Sequence, residues 1–343
     1  MINSTSIVTS YEHGFYGLHG LHRLPFNPCN QRNLSNLCMT INNYQLMSRT
    51  YKATGINLKS IPIGESDRLL TIFTKEFGII RAVAMGVRKG RSQIGGRSEL
   101  FVVNQLLIAK GKSLDKITQA ETLQSYSGLG RNLGKLASSQ YLAELVLSQA
   151  LSEQPQEELF GVFNEHLSRL ENLPNSNDDK TPTLIIAHLT HGIFHLLALA
   201  GIVPQVQNCN VTGRTLTPNF IDPEWRVGFS ISDGGTVSLP ELVTVAAQQG
   251  ENINLLLDNS QRPIPGPKRR PIRRQPHSKI NAAELAILQQ LALPELPQFE
   301  SFCDFGDWIS VERLLRQYAK YHLNCEIRSA ALIDTYVETE QDI

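Results

Sequence analysis

Short runs of β-type residues separated by turns occupy the chain from Arg49 to about Tyr126. A small sheet of such strands exposes unpaired edges, and closing it into a barrel removes them. The pattern therefore predicts a small five-stranded closed barrel, although an SH3-like barrel would also fit its size. The predicted strands cover residues 51–58, 68–74, 79–85, 101–109 and 117–122.

The period of the apolar positions changes to that of a helix after Gly134. One face of the first predicted helix carries Tyr141, Leu142, Leu145 and Val146. Further helices are predicted to begin near Pro155, at Pro182 and at Asn281, where Glu284 completes a capping box, and a last helix near Ser310.

Several segments show no regular period. Residues 205–240 are predicted to be irregular, with a turn at Gly234 and Gly235. Residues 1–46 are rich in Asn, His and Gly, and we expect them to be a disordered extension. Regular structure begins after Met47, which makes this residue a candidate for the true initiator.

One stretch, residues 184–203, contains no Asp, Glu, Lys or Arg and is long enough to raise the question of a membrane span. His188, His191 and His195 lie at i, i+3 and i+7 and form a polar stripe, which favours a helix packed in a bundle. The same histidines carry a rival hypothesis, a metal-dependent enzyme. However, that helix contains no Asp, Glu or Cys that could complete a metal site.

The net charge of the whole chain is zero, but the charges are segregated. Residues 48–135 carry 15 Lys and Arg against 6 Asp and Glu, whereas residues 136–260 carry 4 against 14. Like charges concentrated in one domain repel one another, so the basic segment predicts a polyanionic partner, usually nucleic acid. The acidic segment is the better candidate for protein contacts, or is simply a solvated face.

The cations of the predicted barrel are concentrated in two loops, where they are candidate phosphate contacts or, alternatively, a solvated face. Barrels of this size often add stacking aromatic residues, and Tyr51, Phe73, Phe77 and Phe101 are the candidates unless they fill the barrel core. The candidate phosphate contacts are Arg88, Lys89, Arg91, Arg97, Lys110, Lys112 and Lys116.

A second candidate contact is the Pro-rich segment 262–279, which has seven cations and no acid. Its prolines keep the charges extended, so it is either a basic arm for a phosphate backbone or a solvated linker. Its candidate DNA-binding residues are Lys268, Arg269, Arg270, Arg273 and Arg274.

The sequence provides no support for catalysis or for a cofactor. The five cysteines form no C-x-x-C pair, which indicates free thiols in a reducing cytoplasm. The segment GVRKGRS at 86–92 superficially resembles a phosphate-binding loop, but its glycines are four residues apart and no Gly-Lys-Ser/Thr follows. We therefore predict a protein that is not an enzyme.

Three segments in the barrel region, GESDRLL (64–70), FTKEFG (73–78) and GVRKGRS (86–92), resemble the RecO family of bacterial recombination and repair mediators. The resemblance continues through LLALAGIVP (196–204), LLRQY (314–318) and IRS (327–329), and so covers about residues 48–335. It implies an α+β chain, with an OB-fold barrel over residues 47–127 and a helical bundle domain over 128–343.

The functions implied by the resemblance are binding of single- and double-stranded DNA and annealing of strands. With the partner RecR, such proteins help to load the recombinase RecA onto DNA coated by single-strand-binding protein. The implied location is cytoplasmic and associated with the nucleoid. The main alternative is an OB-fold RNA-binding or ribosome-associated module, which strand annealing and a preference for deoxy over ribo oligomers would distinguish.

The sequence departs from the family in its zinc module, which we place at 205–245. Many members carry two C-x-x-C pairs, but the corresponding positions here are Cys209, Thr212, Ser238 and Glu241. A structural zinc site needs four protein ligands, so we predict a degenerate module without zinc.

Overall fold

The first five strands of the computed structural model form a closed barrel in the order β1-β2-β3-β5-β4. Strands β3 and β5 are parallel neighbours, and the other neighbours are antiparallel. The structure describes residues 50–89, 92, 94–175, 180–239, 278–296 and 303–341. The predicted barrel is thus confirmed, with strands β1 (Thr50–Ile63), β2 (Asp67–Thr74), β3 (Gly78–Ala84), β4 (Val102–Ala109) and β5 (Asp115–Ser125).

Strand β1 is longer than predicted, because a bulge lets it continue past the barrel wall. The register with β2 shifts between Asn57 and Lys59, and β1 remains paired with β2 as far as Ile63. Its pairing with β4 ends at Ile56. The hairpin formed by β1 and β2 therefore projects beyond β4.

The helical part is built around one apolar helix. Its twenty residues are long and apolar enough to cross a membrane by length and composition, but it packs against three other helices, and 61% of its most apolar window is buried. A helix that is buried to this extent by other helices is a core helix of the bundle. The described helices are α1 (Leu133–Gln149), α2 (Glu157–Asn172), the central α3 (Lys180–Leu199), α4 (Ala282–Gln290), α5 (Phe305–Leu323) and α6 (Ala330–Gln341).

Two expectations about the C-terminal half need correction. Helix α5 begins at Phe305 rather than near Ser310, because Asp304 and Asp307 form a capping box, and it is followed by α6. The segment 205–240 is not wholly irregular: β6 (Val227–Ser230) and β7 (Gly235–Val237) join β8 (Ser278–Ile280) in a three-stranded sheet. The turn at Gly234 and the capping box at Asn281 are confirmed.

The barrel and the helices share one hydrophobic core. Phe73 of β2 packs on Phe160 of α2 with 5.6 Å between ring centroids, and both belong to the cluster that fills the helical bundle. The backbone joins the two parts as well, since the Ile79 amide donates to the Leu151 carbonyl at 3.0 Å. Gly78 has a φ of +61°, and a Cβ there would collide with the same carbonyl, so only glycine fits this junction.

Charged groups inside the helical part have partners within the chain. Lys135 is fully buried, and its Nζ donates to the Glu171 carbonyl (3.1 Å), the Leu173 carbonyl (2.5 Å) and Asn175 Oδ1 (2.7 Å) at the end of α2. Its burial lowers the pKa of the ammonium group. The buried Glu312 accepts two bonds from Arg316, which also pairs with Asp334 at 2.8 Å.

Candidate nucleic-acid interface

The turn after β3 is tied to the tip of the β1–β2 hairpin by three hydrogen bonds. The Gly86 amide donates to Asp67 Oδ1 at 2.7 Å, and the Arg88 amide donates to the Ser66 carbonyl at 3.0 Å. The Arg88 guanidinium donates to the Gly64 carbonyl at 3.2 Å. These bonds hold Arg88 and its neighbour Lys89 on an ordered turn at the edge of the barrel, with both side chains exposed.

Lys116, at the start of β5, joins the same positive surface. It pairs with Val83 of β3, next to the turn that carries Lys89. The pKa of Asp67 is lowered by the Gly86 amide first, then by Ser66 and by the positive charges of Lys89 and Lys116. Both lysines therefore lie near one carboxylate, although 27 positions separate them in the sequence. We call Arg88, Lys89 and Lys116 the basic rim.

The remaining predicted cations are less concentrated. Lys110 and Lys112 lie exposed at the β4–β5 turn, where the Gly111 amide donates to Asp115 Oδ1 at 3.0 Å. Arg97 lies half-buried in the loop before β4. Arg91 and the whole candidate set of the Pro-rich arm lie outside the described residues, namely Lys268, Arg269, Arg270, Arg273 and Arg274.

A groove of about 600 Å³ runs along the barrel beside the loop that carries Arg97. The side-chain amides of Asn57 and Asn104 donate to the Arg97 carbonyl at 2.7 and 2.9 Å and fix that loop. Three residues that line this groove were not predicted from the sequence, namely Lys52, Gln105 and Gln119. The alternation of polar and apolar residues along one strand does not show which other strand lies next to it. Other lining residues are Met85, Ser92, Thr118 and Glu121.

Two of the four candidate stacking residues, Phe73 and Phe101, were wrong. Phe73 and Phe101 are only 0% and 3% exposed and lie in the core shared with the helices. Tyr51 donates its hydroxyl to Asp115 Oδ2 at 2.5 Å and packs edge-on against Phe77 with 5.0 Å between ring centroids. Phe73 and Phe101 are therefore core residues, as the alternative expected, whereas Tyr51 and Phe77 are half-buried and pack against the barrel core.

His191 and His195 of α3 belong to a hydrogen-bonded cluster that includes His166 of α2. His166 Nε2 lies 3.1 Å from His195 Nδ1, and Arg169 Nη1 lies 3.4 Å from His191 Nδ1. The Nε2 atoms of His191 and His195 both donate to the Leu293 carbonyl, at 2.8 and 3.2 Å. The ring nitrogens of His191 and His195 are thus occupied by other partners, whereas the buried Nδ1 atoms of His166 and His188 have no hydrogen-bond partner among the described residues.

Burial is the main cause of the low basicity of this histidine cluster. It lowers the pKa of His166 to about 2, with smaller contributions from the neighbouring positive groups. The same cause lowers the pKa of His191 to about 3 and that of His188 to about 4. Within the described ranges, no group of three His, Cys, Asp or Glu side chains could hold a metal ion, so the metal-enzyme hypothesis gains no support.

The zinc module that the family resemblance implies does not fit the residues present. Cys209 is buried, and its Sγ accepts a bond from the Ser238 amide at 3.3 Å. The fold therefore brings together two of the four positions, but one thiol cannot complete a tetrahedral site. Glu241 lies outside the described residues. Apolar packing takes the place of metal ligation here, with contributions from Val237, Val211, Leu216 and Leu239.

Comparison with known proteins identifies the family. The family model described as recombination protein O N terminal matches residues 47–126, and that described as recombination protein O C terminal matches 130–331. The DNA repair protein RecO of Nostoc punctiforme is 55% identical over 302 residues, which cover 86% of this chain and 99% of the relative.

Similarity extends to other relatives with the same name. The DNA repair protein RecO of Trichodesmium erythraeum is 51% identical, with coverage of 85% of this chain and 96% of the relative. The DNA repair protein RecO of Synechocystis is 41% identical, and the match covers 86% of this chain and 100% of the relative. These matches confirm the resemblance found in the sequence, and the chain therefore belongs to the RecO family of DNA repair proteins.

Proposed function

We propose that this protein is a non-enzymatic mediator of DNA repair and homologous recombination, acting in the cytoplasm on the nucleoid. It binds single- and double-stranded DNA and anneals complementary strands. With RecR it helps to load RecA onto DNA coated by single-strand-binding protein. Family membership supports this proposal, because the RecO relatives are named as DNA repair proteins.

The basic rim is the single observation that carries the proposal. Arg88, Lys89 and Lys116 are exposed. The hairpin fixes the turn that carries Arg88 and Lys89, and the pairing of β5 with β3 places Lys116 beside it. Annealing requires that the repulsion between two phosphate backbones be screened, and positive side chains provide this without bond chemistry. No catalytic group is therefore needed at this surface.

The second part of the proposal assigns protein contacts to the helical domain. Residues 136–260 carry 14 acids against 4 cations, so this region repels DNA and is free to meet proteins. RecR and single-strand-binding protein are the proposed direct partners, and RecA the indirect one. The Pro-rich arm 262–279 is a further proposed contact with the phosphate backbone.

Annealing of two complementary labelled oligonucleotides tests the proposal. The wild-type protein is expected to accelerate annealing, and the variant Lys89→Ala/Lys116→Ala to lose most of this acceleration. Arg313→Ala/Lys320→Ala is the matched control, because it removes the same charge from exposed positions on α5. Loss of RecA loading with RecR, measured on DNA coated by single-strand-binding protein, should follow the loss of annealing.

Two outcomes would contradict the proposal. A wild-type protein that neither binds nor anneals DNA would refute the mediator function. Tighter binding to ribo than to deoxy oligomers, without annealing, would support the alternative of an RNA-binding or ribosome-associated module.

A further inference from the structure

The projecting hairpin carries exposed apolar side chains next to the basic rim. Ile61, Ile63 and Met85 are 52%, 40% and 55% exposed. Ile61 and Ile63 are two residues apart on β1, so they point to the same face of the sheet. Asp67 pairs with Ile63 and accepts the amide of Gly86, the residue after Met85. We call Ile61, Ile63 and Met85 the apolar ridge.

The apolar ridge and the basic rim belong to one ordered unit. The bonds from Arg88 to Ser66 and Gly64 join the turn after β3 to the hairpin that carries Ile61 and Ile63. Past the bulge, β1 has β2 as its only strand partner in the part of the chain that the structure describes. The ridge is therefore presented outward beside the cations rather than used to close the barrel.

The exposed apolar side chains and the neighbouring cations of this surface match the chemistry of single-stranded nucleic acid. Single-stranded nucleic acid combines a negatively charged backbone with apolar base faces, and aliphatic side chains can pack against or between bases. Of the four candidate stacking residues, Phe73 and Phe101 are buried, and Tyr51 and Phe77 are half-buried and pack against each other. Three side chains are also much smaller than the surface that a stable protein partner buries.

We propose that the apolar ridge packs against unpaired bases of single-stranded DNA while the basic rim holds the phosphates of the same strand. This inference rests on the proposed DNA binding. Bases in a duplex are stacked on one another, and their faces cannot reach the ridge. The ridge therefore contributes to the affinity for single strands and hardly at all to the affinity for duplex DNA.

The test compares affinities of the full chain for a labelled single-stranded oligonucleotide and for a duplex of the same length, by fluorescence anisotropy over a salt series. The ridge variant is Ile61→Thr/Ile63→Thr/Met85→Ser. Its dissociation constant for the single strand should rise about tenfold, with about a twofold change at most for the duplex. The salt dependence should stay as in the wild type, because the variant keeps every cation of the basic rim.

A control that also changes three exposed apolar side chains is Leu133→Ala/Leu184→Ala/Leu332→Ala in the helical part, where these side chains are 49%, 38% and 39% exposed. It should bind both DNA forms as the wild type does. A ridge variant with wild-type affinity for single strands would overturn the inference and leave the proposed function intact. Equal losses for single strand and duplex, or unchanged DNA binding with lost capture of RecR, would also overturn it. Failure of the wild type to bind any DNA would instead refute the proposed function.

Discussion

Two charged side chains are buried and paired in the helical bundle, whereas those of the basic rim are exposed at the edge of the barrel. In the bundle, Lys135 and Glu312 are fully buried, and each is bonded to named partners of the same fold. At the barrel edge, Lys89 and Lys116 are exposed, and both lie near the carboxylate of Asp67. Charges of the first kind are part of the folded structure, whereas those of the second kind are available to a ligand. The comparison predicts that substitutions in the bundle change stability and substitutions at the rim change binding.

The largest effect is expected from Glu312→Ala. This change leaves the partly buried Arg316 with Asp334 as its remaining ion-pair partner among the described residues, and we expect a loss of about 3 kcal/mol in the free energy of unfolding. Urea unfolding measures it. The control Glu326→Ala breaks an exposed ion pair with Lys320 and should cost less than about 0.5 kcal/mol. Equal effects of the two changes would contradict the comparison.

The next effect is expected from Lys135→Met. Methionine fills the same space but leaves the carbonyls of Glu171 and Leu173 without the donor that they share, so unfolding should become easier by about 2 kcal/mol. Thermal and urea unfolding measure this loss. Lys320→Met, at an exposed position, serves as the control and should have little effect. A stability equal to that of the wild type would show that the buried ammonium is not a structural group.

A smaller effect, dependent on pH, is expected from the histidine cluster. The folded-state pKa values of about 2 for His166 and about 3 for His191 lie below the ordinary histidine value. Below about pH 6.5 the unfolded chain therefore binds more protons than the folded one. Stability should be fully present above this pH and should fall as the pH decreases towards the folded-state values.

The variant His166→Gln tests this source of acid sensitivity. Glutamine keeps a donor for His195 Nδ1 but does not titrate, so the loss of stability between about pH 8 and pH 5.5 should be smaller than in the wild type by up to about 1.4 kcal/mol. Urea unfolding at several pH values, with wild type and variant side by side, measures the two slopes. Parallel slopes would mean that His166 contributes nothing to acid sensitivity.

The smallest effect on stability is expected from Lys89→Ala/Lys116→Ala. Both side chains are exposed, and their like charges repel each other, so the free energy of unfolding should change by less than about 0.5 kcal/mol. The same urea unfolding experiment measures it. A decrease of about 2 kcal/mol or more would show that the rim is a structural element and would remove the contrast with the bundle.

The strand and helix pattern could be predicted from the sequence where the signal is local. Five strands and the capping box at Asn281 follow from residue type and spacing. The start of α5 was missed because Asp307 replaces the usual Glu or Gln of a capping box. The short sheet of β6, β7 and β8 was missed because its third strand lies about 40 positions later in the chain than the second.

The candidate DNA site could be predicted only in part, because it also depends on contacts between residues that are distant in the sequence. A cluster of cations in the sequence indicated the rim, but the proximity of Lys116 to Lys89 depends on the pairing of β3 with β5. His166 could not be assigned to the cluster of α3, since it lies on another helix. The exposure of Tyr51, Phe73, Phe77 and Phe101 also depends on packing, and a strand pattern does not determine it.

The salt dependence of single-stranded DNA binding tests the central claim most directly. Fluorescence anisotropy of a labelled oligonucleotide gives the slope of log K against log salt for the wild type, for Lys89→Ala/Lys116→Ala and for the control Arg313→Ala/Lys320→Ala. Because the rim variant removes two cations that we propose to bind phosphates, its slope should be shallower by about 1.4, and that of the control unchanged. Equal slopes for wild type and rim variant would contradict the claim and place the backbone site elsewhere in the chain.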